Sequence, residues 1–208
     1  MKVALIGATG KSGLRLQAEL LRRGHQVTAV VRSPEKVKAE AGVTTAKSDL
    51  SNAAQIAQAL KGADAVISAY GPPADDTDQL IGVTKRVVEA AKKNGQRVLV
   101  VGGAASLFVA PGVTLLASGY LPEPYLPISR SHAAVLENLG KSDADWTYFS
   151  PAAFFEPGER TGKFRLGKNE LVADASGTSR ISLEDYAIAA VDELEKPAHP
   201  GERFTIGY

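Results

Sequence analysis

Residues Gly7-Ala8-Thr9-Gly10-Lys11-Ser12-Gly13 carry the strongest chemical signal in the chain. Glycines at every third position permit a tight turn, a close approach of backbone to a pyrophosphate, and hard packing of the following helix on the strand it left. A Cβ at any of the three obstructs one of those jobs. The apolar run Val3-Ala4-Leu5-Ile6 precedes the turn, and a helix-like segment from Leu14 to Arg23 follows it, with Leu14, Ala18 and Leu21 expected on one face and Leu16 and Leu20 close beside it. A second strand-like run, Val27 to Val31, comes after Gly24 and completes a βαβ unit. The first-turn N–H groups and the positive end of the helix dipole would then face an anion, beside Thr9, Lys11 and the Ser12 hydroxyl.

The end of the second strand reads the adenosine ribose in this arrangement. An acidic residue there accepts from a 2′-hydroxyl, whereas an arginine accommodates a 2′-phosphate. This chain has Val31-Arg32-Ser33 and no acid, with Lys36 a turn further on. A planar guanidinium meets phosphate with two parallel bonds and Ser33 adds a donor, so NADP(H) is expected over NAD(H). The plainer reading of Arg32 is a solvated strand-end cation. Asp49 and Leu50 would lie near the adenine, although Asp-Leu-Ser ahead of a helix is equally good capping chemistry. Ala69, Tyr70 and Gly71 follow the fourth strand and should border the ribose and phosphates through backbone and shape.

Elementary composition narrows the alternatives. A formal net charge of +1 without long basic or acidic blocks argues against nucleic acid or an anionic membrane as partner, and for a small molecule. The chain has no cysteine, and its histidines at 25, 132 and 199 lack ligand spacing, so no metal site is expected. The N-terminus runs straight into a strand with no signal-peptide pattern, which makes the cytoplasm the expected location. Val98 to Pro122 carries no charge, but Gly102, Gly103, Pro111, Gly112, Gly119 and Pro122 interrupt it too often for a membrane span.

The elements that must position these residues alternate regularly. A short helix is expected over Pro34 to Glu40, a third strand over Val43 to Lys47, and a helix from an N-cap at Ser51 through Leu60. Further strands are expected at Ala65 to Ala69 and Arg97 to Val101, separated by a long helix from Asp76 or Thr77 to about Asn94. A helix from about Ile128 to Leu139 leads to a strand at Trp146 to Phe149. Lys163 to Leu166 and Glu170 to Ala173 read as a hairpin or a pair of edge strands. Ser182 caps the last helix, and Arg203 to Ile206 forms a final strand. The pattern predicts an α/β, Rossmann-type, doubly wound and mainly parallel sheet with helices on both faces, strand order 3-2-1-4-5 and onward, and a small C-terminal substrate-side extension. With 208 residues, one dinucleotide-binding domain over 1–208 is expected, with insertions at about 102–124 and 151–180 free to build a site.

With these residues placed, the chain resembles the atypical short-chain dehydrogenase/reductase superfamily, in its NAD(P)-binding, NmrA-like group that includes NADH-flavin reductase-like proteins and biliverdin reductase B. The resemblance rests on Gly7 to Gly13, Val30-Val31-Arg32-Ser33, Ser48-Asp49-Leu50, Val100 to Ser106 and Asp145 to Pro151. Pro157 to Lys163 and Ser179 to Ala187 are similar to the flavin-reductase subgroup in particular. It implies a Rossmann fold, a nicotinamide dinucleotide bordered by Gly102 and Gly103, and a flavin or quinone-like acceptor as substrate. Part of the group binds the dinucleotide only as a regulatory signal, which keeps a non-enzymatic sensor as the alternative.

One departure from the wider superfamily bears on chemistry. The usual tyrosine with a lysine four positions later is missing, since Tyr125 is followed by Ser129 and Tyr120 by Pro124. Alcohol dehydrogenation and sugar-nucleotide epimerisation need that pair to move a proton. Reduction of a flavin demands less, because orientation supplies most of the catalysis and water can supply the proton. By the resemblance, Ser106 falls where a site hydroxyl would hold the carboxamide or the acceptor, or else it is a turn hydroxyl. His132 would donate a proton or line the acceptor pocket, or else it is a helix-surface or core histidine. Phe154, Phe155 and Arg160 are candidates for an aromatic and cationic rim, with core packing the alternative for the phenylalanines.

Overall fold

The computed structural model describes residues 1–208. Its chain runs β1 (Lys2–Ile6), α1 (Lys11–Arg22), β2 (Gln26–Val31), β3 (Val43–Lys47), α2 (Ala53–Leu60), β4 (Ala65–Ser68), α3 (Gln79–Lys93), β5 (Arg97–Val101), β6 (Phe108–Ala110), β7 (Val113–Thr114), α4 (Leu126–Leu139), β8 (Trp146–Ser150), β9 (Phe154–Glu156), β10 (Arg165–Gly167), β11 (Arg180–Ser182), α5 (Leu183–Glu195) and β12 (Glu202–Gly207). Eight strands form one sheet in the order β3-β2-β1-β4-β5-β8-β12-β10. All neighbours are parallel except β10, which runs antiparallel to β12 with Leu166 opposite Ile206. This is the expected doubly wound architecture.

The central strands are apolar throughout because both faces are covered. In β1, Val3 and Leu5 enter the core under α1 and α5, while Ala4 and Ile6 enter the core under α2, α3 and α4. Strand β5 divides likewise, Leu99 to one side and Val98 and Val100 to the other. Burying each valine, leucine or isoleucine among them contributes about 1.5–3 kcal/mol. Phe149 of β8 is sandwiched between Tyr186 and Phe204 at centroid distances of 4.0 and 3.9 Å.

Four local expectations are corrected. Helix α1 buries Gly13, Leu16, Gln17 and Leu20, leaving Leu14 49% exposed and Ala18 exposed. Gly13 must face Gly7, and that contact sets the helix rotation. Only a 3-10 turn forms at Pro34–Lys36, since the segment offers no apolar stripe to bury. The cap of α2 is Asn52, whose side chain accepts from the N–H groups of Ala54 and Gln55, while the Ser51 hydroxyl is taken by Asp49. Glu170 to Ala173 forms no strand with β10, and Glu170 instead makes a single bridge to Phe108. Ser182 does cap α5, accepting from Asp185 N–H at 2.9 Å.

Two short sheets lie outside the main one, the β6–β7 hairpin and the parallel pair β9–β11. Both belong to the segments that leave the carboxyl ends of β5 and β8. No helix is long and apolar enough to cross a membrane.

Candidate dinucleotide site and the cleft beside it

Strand β1 lies between β2 and β4, so the chain winds in opposite directions on its two sides and a crevice opens at their carboxyl ends. The glycine turn sits there. Gly7 has φ +76°, and a Cβ on it would fall 2.2 Å from the Ala69 carbonyl oxygen just beyond β4. A Cβ on Gly13 would fall 2.0 Å from the Gly7 oxygen. Both glycines are therefore demanded by the fold itself. Gly10 differs, since its Cβ would meet only the Gly7 oxygen at 3.2 Å. Its exposed surface is free for an approaching ligand.

The first intrahelical bond of α1 is Leu14 N–H to Gly10 O at 2.9 Å, which leaves the N–H groups of Lys11, Ser12 and Gly13 without an acceptor in the chain. No side chain caps this end and no acid stands in the first turn. Unpaired N–H groups at the positive end of a 12-residue helix make an anion cradle. Thr9 and Lys11 stand exposed beside it.

Arg32 follows β2 directly, is exposed, and pairs with no carboxylate. The Ser33 hydroxyl makes no capping bond to the 3-10 turn that follows. Asp49 bonds the backbone and hydroxyl of Ser51, which hold its carboxyl below the usual range. That engagement is a local turn ahead of α2 and not a helix cap, since Asn52 caps α2. Leu50 is buried and is the one non-glycine residue with positive φ, at 64°. Its oxygen accepts from Arg86 Nε of α3 at 2.9 Å. Gly82, one turn earlier, leaves room for that guanidinium, because a Cβ there would lie 3.3 Å from Nη1. Arg86 thus pins the turn after β3, a role with no local sequence signal. Tyr70 is half-buried, its hydroxyl donating to Gln79 at 3.1 Å, and Gly71 is open on every side.

Across the crevice, β5 ends in Gly102 and Gly103. The Gly102 N–H donates to Phe149 O at 2.8 Å, and a Cβ would strike the Tyr148 ring at 2.4 Å. Gly103 lies under His132, whose Cγ would be 2.9 Å from an added Cβ. The Tyr148 hydroxyl accepts from Gly103 N–H at 3.0 Å and donates to His132 O at 3.2 Å. His132 Nδ1 lies 3.1 Å from the same hydroxyl and donates to it or accepts from it according to the ring's tautomer. Burial lowers the His132 pKa from 6.5 to about 4 and pushes the Tyr148 phenol well up. Packing against Gly103 and Tyr148 fits the core-histidine reading of His132, and an imidazole kept neutral by burial is a poor proton donor near neutral pH.

That depression has a consequence for stability. The folded ring stays neutral while the unfolded ring protonates, so stability present above pH 6.5 is lost as the pH falls toward about 4. The loss attributable to this group should be roughly 3 kcal/mol. Urea unfolding between those limits is expected to show a steeper acid decline in the native protein than in His132→Gln. Parallel declines would refute it.

Ser106 is held by Arg203 of β12, whose Nη1 donates to both its carbonyl and its hydroxyl oxygen at 2.9 Å. The same guanidinium grips Asn169 Oδ1 through Nη2 at 2.7 Å, joining the two segments that wall the next cleft. This clamp spans almost a hundred positions and had no sequence signature. Arg160 does not join an acceptor rim. It pairs through both Nε and Nη2 with Glu19 of α1, a carboxylate only 4% exposed that also binds Arg22 and Arg23 and is held far below its usual pKa. Phe155 packs on Tyr186 at 4.6 Å, whereas Phe154 is 55% exposed. Phe154 faces a cleft of about 940 Å³ shared with Phe108, Leu115, Tyr120, Glu170 and Leu171.

A doubly wound sheet with an anion cradle at its switch point defines a dinucleotide-binding protein of the Rossmann class. The chain belongs to the NAD(P)H-binding family, whose model matches residues 7–196. The uncharacterized protein YwnB of Bacillus subtilis is 40% identical over 211 residues, 99% of this chain and 98% of that protein. A solved structure from Bacteroides thetaiotaomicron, provisionally described as an epimerase, is 49% identical with a TM-score of 0.93, covering 100% of this chain and 96% of that one. One from Streptococcus pneumoniae, provisionally described as an NADH-flavin reductase, is 37% identical with a TM-score of 0.90, covering 100% and 99%.

Proposed function

We propose that this chain is an NADPH-dependent reductase that delivers two electrons to a flavin or similar flat acceptor. The observation that carries the reading is the unpaired first turn of α1 facing the same crevice as an unpaired Arg32, with no acid at the end of β2. The residues fit the dinucleotide: Gly7 and Gly13 shape the cradle, Lys11 to Gly13 offer N–H groups to the pyrophosphate, and Arg32 with Ser33 suits a 2′-phosphate. When bound, reduced nicotinamide supplies a hydride to the acceptor, and water supplies the accompanying proton. Gly102 and Gly103 keep the backbone flat beside the site, His132 shields it, and Phe154 with Phe108 and Tyr120 gives the acceptor apolar surface.

The Streptococcus pneumoniae relative's description as an NADH-flavin reductase agrees with the flavin-acceptor part of this reading and names the other dinucleotide. The description of the Bacteroides relative as an epimerase does not transfer. Tyr120 and Tyr125 are 79% and 60% exposed and lack the partner lysine, so no phenol is prepared to exchange a proton with an alcohol. The test follows NADPH absorbance with FMN, FAD, riboflavin and quinones. Consumption above the protein-free rate is expected. Dinucleotide binding with no turnover for any acceptor, and a preference between oxidised and reduced forms, would instead establish a sensor.

A further inference from the structure

The segment after β5 runs from the dinucleotide crevice, where Gly102 and Gly103 stand, to the neighbouring cleft, where Phe108 exposes part of its ring. Two adjacent strands fasten it at both places. Tyr148 of β8 and Arg203 of β12 are register partners and therefore share a face of the sheet. The Tyr148 hydroxyl accepts from Gly103 N–H at 3.0 Å, and Arg203 Nη1 donates to the carbonyl and hydroxyl oxygens of Ser106 at 2.9 Å. Arg203 also reaches the opposite wall. Strand β10 leaves β12 after Gly167, which pairs with Thr205, and the same register carries Asn169 to the position opposite Arg203. There Nη2 and Nε donate to Asn169 Oδ1 at 2.7 and 3.2 Å. Backbone bonds tie the walls to each other, Phe108 N–H to Asn169 O and Leu171 N–H to Phe108 O, both at 2.8 Å. The guanidinium is half-buried, keeps its charge between neutral oxygens, and has Glu170 near enough to favour that charge. Its bonds are charge-assisted and so among the stronger ones holding the cleft.

We propose that Arg203 is a positioning residue for hydride transfer, acting through Ser106 and Asn169 to hold both walls of the acceptor cleft at a fixed distance from the dinucleotide crevice. This role rests on the reductase reading and adds to it the residue that sets how closely acceptor and nicotinamide approach. A misplacement of about 1 Å slows such a transfer on the order of a hundredfold. The cradle on β1 and α1 should not register the loss, because β4, β5 and β8 stand between β1 and β12.

Arg203→Met keeps the aliphatic stem and removes every one of these bonds. Single-turnover oxidation of NADPH at saturating riboflavin, FMN or menadione is expected to slow by roughly tenfold to a hundredfold. Calorimetric affinity for NADPH should stay within about twofold. Hydrogen exchange on the unliganded chain reads the same clamp without turnover: the Phe108 and Leu171 amides should lose protection together in the variant, while that of Leu14 in α1 should not. Asn169→Ala frees one wall, so it should slow transfer less than Arg203→Met and add little to it. Arg203→Lys should recover part of the rate. Should Arg203→Met fail to fold, Asn169→Ala and Arg203→Lys carry the same comparison. Native transfer rates in these variants, a slowing matched by an equal loss of NADPH affinity, or unchanged exchange at both walls would overturn the inference. The reductase reading fails on a different result, the absence of NADPH consumption by the native chain with every acceptor. Native turnover with variants that transfer equally fast would sink this inference and leave that reading standing.

Discussion

Gly13→Ala is expected to cost the chain both its dinucleotide affinity and much of its stability, whereas Gly10→Ala should cost affinity alone. A methyl on Gly13 would lie 2.0 Å from the Gly7 oxygen, and both atoms belong to backbone held by β1 and α1. Relief requires α1 to lift off the sheet, and with it the contacts of Leu16 and Leu20, at about 3 kcal/mol or more. Gly10 has room by comparison, its added methyl meeting the Gly7 oxygen at 3.2 Å, and its backbone is extended with φ −78° and ψ 169°. Alanine there changes stability by about 1 kcal/mol or less. Yet the methyl would stand over the N–H groups that an anion must reach. Losing two charge-assisted bonds weakens NADPH on the order of a hundredfold. Thermal melts beside calorimetric titration separate the two effects. If Gly10→Ala bound NADPH with native affinity, the anion would not sit over this turn.

Much of the fold was legible because its signals are local. A parallel strand covered on both faces must read as an unbroken apolar run, and β1, β4 and β5 do. Strand β3 coincides with the expected Val43–Lys47. Misreadings fell where a distant partner decides the outcome. Lys163 to Ala173 has the composition of a hairpin, but β12 arrives from the far end of the chain with an open edge, and Arg165–Gly167 pairs with it. The face buried by α1 was misjudged for the same reason, since periodicity gives the width of an apolar stripe and only the Gly7–Gly13 contact fixes its rotation. In the candidate site, the glycine turn and Arg32 were visible as motifs. Tyr148 was visible only as a strand residue, and its bonds to Gly103 and His132 depend on the register of β8 beside β5 and on the placement of α4. The Arg203 clamp on Ser106 likewise exists only once β12 has docked. Arg160 matched a rim by type, but the buried Glu19 competes for it and wins through two bonds.

Arg32→Ala is expected to weaken NADPH by roughly tenfold to a hundredfold while leaving NADH within about twofold. The two cofactors differ only in the 2′-phosphate, so any contribution of Arg32 through general surface charge or folding would lower both alike. The guanidinium begins free, with no ion pair to break, so its whole interaction is available to a phosphate. Nearby acids do not compete: Glu35 lies in the exposed 3-10 turn, and Asp49 is engaged with Ser51. Lysine at position 32 keeps the charge and loses the paired geometry, so Arg32→Lys should fall between the native protein and the alanine variant. Arg32→Glu should go further and invert the preference, because a carboxylate repels the 2′-phosphate and accepts from a 2′-hydroxyl. Raising ionic strength should likewise erode NADPH affinity more than NADH affinity in the native protein, and that difference should vanish in Arg32→Ala. Equal losses for the two cofactors across this series would remove Arg32 from the site and with it the assignment of NADPH, while the cradle formed by Gly7, Gly10 and Gly13 would still hold a diphosphate of either kind.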